Sequence, residues 1–83
     1  MTAFTVTFPD GTTDTRNSKR PYTHAVVVHG LTSWSATTPK WHVLSYATSE
    51  TLAVKSAMAW STKMADCDHA RDWSPIVVLP VTA

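Results

Sequence analysis

The chain has 83 residues, 43% of them hydrophobic and 16% charged, with a net charge of +1. It is too apolar to be disordered and large enough for one small core, so residues 1–83 are expected to form a single compact domain. The longest apolar run, Ile76 to Val81, is far too short for a membrane span. The first residues lack the basic and apolar regions of a secretory signal, and the single cysteine, Cys67, has no internal disulfide partner. A soluble protein held by packing alone is expected, with the cytoplasm as its default location and no general affinity for polyelectrolytes.

Phe4-Thr5-Val6-Thr7-Phe8 alternates apolar and hydroxylated residues and predicts a half-buried strand with Phe4, Val6 and Phe8 on the core side. Pro9-Asp10-Gly11 supplies a fixed φ, a side chain that bonds its own backbone and a residue suited to positive φ, which predicts a hairpin turn. The return arm, Thr12 to Arg16, is wholly polar and suits a short edge strand. After the break at Asn17 to Pro21, Tyr22 to His29 reads as a central strand, because Val26, Val27 and Val28 are stiff at χ1 and apolar residues fall on both parities. A helix from Ser18 with Gly30 at its C-cap is the competing reading. Gly30 to Lys40 is a long connection rich in Ser and Thr, and Trp41 to Tyr46 resumes as a strand.

Thr48 is the expected N-cap of a helix running to about Met64, with Glu50 in its first turn and Leu52, Ala53, Ala57, Trp60 and Met64 on its core face. Ile76 to Val81 predicts the last strand, which Pro80 assigns to an edge or terminates, since proline donates no ladder hydrogen bond. The order β-β-β-β-α-β implies an α+β fold: a small, mostly antiparallel sheet covered on one face by a single helix. The second face is then polar, covered by the long connection, or paired with a second copy as a homodimer through the sheet.

Arg16, Lys19 and Arg20 form the main cluster of like charge, with Tyr22 beside them. Three cations and an aromatic are what a nucleic-acid binder uses to meet phosphates and stack a base. An acidic protein surface would recruit the same cations. Of the four tryptophans, Trp41 and Trp60 are expected in the core. Trp34 and Trp73 are the candidates for exposure, and exposed tryptophan is enriched at interface hot spots. His24 and His29 differ in parity and so face opposite sides of the sheet, which rules them out as a local ligand pair. His24 and His42 could meet only in a favourable register. Asp66-Cys67-Asp68-His69 lacks the spacing of familiar zinc sites, and its two carboxylates would raise the thiol pKa, against a nucleophilic role. No metal, cofactor or catalytic residue is therefore assigned.

The P-D-G hairpin, the threonine-rich return arm, the R-x-S-x-R-x-Y-T-H-A-V-V-like run at Arg16 to Val27 and the late helix followed by a valine-rich strand together resemble small uncharacterised proteins of actinobacteriophages. That resemblance implies a phage origin and a location in the cytoplasm of an infected bacterium, and it carries no site residues. The expectation drawn from the whole is a non-enzymatic interaction protein. It binds a host or phage protein through Trp34 and the arm Arg16, Lys19, Arg20 and Tyr22, and modulates a host process such as defence. The alternatives are a nucleic-acid-binding module using residues 16–22 and a small virion structural subunit.

Overall fold

Period-two alternation and a tight turn make the first 18 residues a hairpin, and the computed structural model shows how the rest of the chain builds on it. The structure describes residues 1–31, 38–65 and 73–83. They form β1 (Thr2–Thr7), β2 (Thr13–Ser18), β3 (His24–Gly30), β4 (Lys40–Ala47), α1 (Glu50–Met64) and β5 (Val77–Thr82). All ladders are antiparallel, and the strand order is β2-β1-β5-β3-β4. This is the expected α+β fold, with an edge strand at β2 and with β3 a strand inside the sheet; the helical alternative for that segment is overturned. Val26, Val27 and Val28 have no exposed surface, because β3 is packed on both faces.

The position of β5 corrects the sequence reading: despite Pro80, it is the middle strand. The amide of Val81 donates to the Thr23 carbonyl on the β3 side. Successive strand amides point in opposite directions, so the Pro80 nitrogen faces β1. The β1 ladder reaches only Val81 and Thr82 there, while the β3 ladder spans Val77 to Pro80. Proline is tolerated in mid-sheet because its missing donor lies where β1 has already peeled away.

That short junction lets the β1–β2 hairpin curl over the sheet until the result is nearly barrel-like. The inside of the curl holds Val6, Phe8, Ala25 and Val27, flanked by Trp41, Val43, Tyr46, Val77, Leu79 and Val81. Outside, the helix covers Val26 and Ala47 with Ala53, Ala57 and Trp60. Among the described residues, the face opposite the helix is thus covered by the protein's own first hairpin.

Ser49, one residue later than expected, caps α1: its extended backbone (φ −155°, ψ 160°) lets its hydroxyl accept from the Leu52 amide. Leu52 is half exposed, in contrast to its predicted core role. The helix rests on Ala53, Ala57 and Trp60, with the Ser56 hydroxyl 2.7 Å from that of Ser45, and Leu52 lies about 100° round the axis from Ala53. Beyond the helix, Trp73 lies over Gly30 and donates from Nε1 to the Leu31 carbonyl at 2.9 Å. A Cβ on Gly30 would overlap the indole at Cδ1. Gly30→Ala is therefore expected to lower stability by about 1–3 kcal/mol through overpacking. In a Trp73→Ala background the same change should cost little; denaturation midpoints of the four variants give the comparison.

Candidate functional site, the seam between the edge strands

Curling brings the two edges of the sheet, β2 and β4, face to face. Register along the hairpin pairs Phe4 with Arg16 and Val6 with Asp14, so Asp14 and Arg16 point to the inside of the curl. From the other edge comes Tyr46. A β-bulge sets it: Val26 pairs with Ser45 but Val27 with Val43, leaving Leu44 as the extra residue. Leu44 and Ser45 both turn toward the helix, and Tyr46, opposite Ala25, turns inward. Without the bulge, simple alternation from Trp41 and Val43 would send Tyr46 to the helix face.

The seam is latched by side chains. Tyr46 Oη donates to Asp14 Oδ2 at 2.9 Å. The Arg16 guanidinium lies 5.6 Å from the Tyr22 ring centre and 5.7 Å from that of Tyr46, while Tyr22 meets Phe4 edge-on and Tyr46 at a tilt. These are distances at which a cation is held by an aromatic face. Partial burial, followed by donation to Asp14, pushes the Tyr46 phenol well above its usual range.

Toward the start of both strands the latch gives way to a cleft of about 460 Å³. The hairpin side contributes Asp10, Thr12, Thr13 and Asp14, the other side Lys40, Trp41, His42 and Val43, and Phe8 completes the lining. Phe8 and Trp41 stack at 6.2 Å, with ring planes 14° apart. Asp10 Oδ1 accepts from the Thr12 hydroxyl at 2.6 Å and the Thr12 amide at 3.0 Å, which holds its carboxyl below the ordinary range; Gly11 closes the turn at φ +90°. His42 packs its ring on Trp73 and His29 on Trp41.

The expected site residues are divided by this arrangement. Arg16 and Tyr22 belong to the latch, so the tyrosine face proposed for a nucleobase already carries Arg16. Lys19 and Arg20 are exposed in the turn after β2. Trp34 lies outside the described residues, but its connection joins Gly30 to Lys40. Strand directions alternate across the sheet, so β2 and β4 run parallel. The turn after β2 and the connection before β4 consequently leave opposite ends of the curl, roughly 20 Å apart for strands of this length. Gly30 and Lys40, which flank the connection, thus lie at the end of the curl opposite Lys19 and Arg20.

His24 and His29 take opposite faces, as their parity requires, and His24 lies 3.8 Å from exposed Glu50 at the helix start. His24 pairs with Ala47 while His42 pairs with Val28, four residues further along β3, so the two do not meet. Among the described residues no group of three or more His, Cys, Asp or Glu side chains could hold a metal ion; Cys67 and His69 lie outside them. Among the same residues no helix is long and apolar enough to cross a membrane. Sequence reasoning missed Asp14 and Tyr46. The hairpin register centred on Pro9-Asp10-Gly11 could have placed Asp14 and Arg16 beneath Val6 and Phe4, whereas nothing in the sequence marks the bulge. No family model, curated protein or solved structure matches the chain.

Tyr46→Phe should cost about 1 kcal/mol at neutral pH, the net worth of one hydrogen bond at a partly exposed site. Because the folded state raises the phenol pKa, the hydroxyl's contribution is complete below the unfolded value near 10 and is lost as pH rises beyond it. The gap between wild type and Tyr46→Phe is therefore expected to close above about pH 10; denaturant titrations at pH 7 and in the alkaline range measure it.

Proposed function

We propose that the chain is a non-enzymatic binding module that holds a protein partner at the open half of the seam between β2 and β4. The cleft carries this reading: it combines an apolar lining of Phe8, Trp41 and Val43 with Asp10, Asp14 and Lys40 at its lips, between two strand edges that are not paired to each other. Its volume falls within the range of specific binding sites, and the connection bearing Trp34 enters β4 at Lys40, on its lip. The resemblance at Arg16 to Val28 supplies the setting: a phage-type protein, in the cytoplasm of an infected bacterium, that binds a host or phage protein and modulates a host process.

A nucleic-acid role draws less support, because Arg16, exposed like Lys19 and Arg20, is already engaged with Tyr22 and Tyr46 in the latch, which leaves Lys19 and Arg20 as the cations of that arm outside it. Two phosphate contacts give weak, salt-sensitive binding. Affinity capture from a bacterial host lysate separates the readings. Reversing the lip charge with Lys40→Glu and blocking the edge with Thr13→Arg should remove a protein retained by the wild type, while Lys19→Glu with Arg20→Glu should not. Retention that follows Lys19 and Arg20 instead, and vanishes with added salt, would transfer the function to nucleic acid.

A further inference from the structure

We infer that the occupant of the seam is an extended peptide segment that enters as a sixth strand, antiparallel to both β2 and β4, with a lysine or arginine directed at Asp14. The inference rests on the binding reading above and specifies its mode. Its basis is strand direction. Five strands in strict alternation leave two edges that run the same way. The protein therefore cannot close its curl with the antiparallel pairing it uses everywhere else, and among the described residues no backbone hydrogen bond joins β2 to β4. Side chains bridge the edges at one end, through Tyr46 and Asp14, and the cleft separates them at the other. One further strand running in the opposite sense would be antiparallel to both neighbours and would satisfy two rows of unpaired amides and carbonyls at once. Main-chain pairing of that kind supplies affinity, and the pockets under alternate side chains supply specificity.

Charge sets the side-chain preference. An inward residue of the guest would stand between Asp14 on β2 and Trp41 on β4, with Asp10 at the nearby turn. A lysine or arginine can lay its stem along the stacked Phe8 and Trp41 rings and bring its charge to the carboxylate. Arg16 already does much the same between Tyr22 and Tyr46 at the latched end. Because the guest runs against β4, its C-terminal end lies beside Lys40, which favours an acidic residue there.

A tethered strand gives the test. A segment of about seven residues, alternating threonine with valine and carrying one central lysine, is appended after Ala83 through a Gly/Ser linker of about 20 residues, whose span of about 25 Å reaches the cleft. Amide hydrogen exchange is then compared with that of the same fusion carrying proline at alternate positions of the segment. Exchange at edge amides of both β2 and β4 should slow by about tenfold or more with the lysine strand. Glutamate in place of that lysine should weaken the effect, and the proline version should abolish it. The tether holds the strand near millimolar effective concentration, so unprotected edges, or protection of one edge alone, would overturn the inference. Capture of a protein that still depends on Lys40 and Thr13 beside such a negative result would keep the binding reading and remove only the sixth-strand mode.

Discussion

Two residue pairs, Thr5 with Thr82 and Val6 with Val81, join the first hairpin to the rest of the sheet. A longer ladder would hold β1 and β2 in the plane of β5, leaving Phe4, Val6 and Phe8 over open space. Because Pro80 ends the pairing after two steps, the hairpin is free to follow the natural right-handed twist and fold across the sheet. Its apolar side then becomes the lid of a core rather than an exposed surface. Both the latch at Tyr46 and the cleft at Trp41 follow from that single short junction.

The valine triplet of β3 ties the two halves of the interior together. Val27 faces the inside of the curl and Val26 faces the helix, so one stiff strand serves two small cores. Each fully buried valine contributes roughly 1.5 to 3 kcal/mol relative to exposure, a large share of what a domain of this size has available. The helix needs only alanines and one tryptophan against this wall. With its backbone seated that close, a flanking residue such as Leu52 is lifted away from the sheet.

What could be read from the residues was what is local. Alternation located β1, the P-D-G turn fixed the hairpin, polarity marked β2 as an edge, and apolar residues on both parities marked β3 as internal. Non-local facts escaped. Pro80 excludes a donor on one side of a strand only, and which side matters depends on neighbours that the sequence does not reveal. The bulge at Leu44 leaves no compositional trace, yet it decides that Tyr46 reaches Asp14. The grouping of Arg16 with Lys19 and Arg20 was a grouping along the chain; pleating sets Arg16 against the rings of Tyr22 and Tyr46 at the seam and leaves the other two in the turn after β2.

The junction also shapes the order of folding. The Thr82 hydroxyl donates to the Thr5 carbonyl across 77 residues of chain, so this contact carries a large loop-closure cost. Topologies dominated by such distant pairings fold slowly. The β1–β2 hairpin, by contrast, is local and can form as soon as its own residues are available. During translation its ladder to the rest of the sheet must therefore wait until β5 emerges some 60 residues later. A nascent chain in that interval presents a small apolar strand edge to whatever is near it.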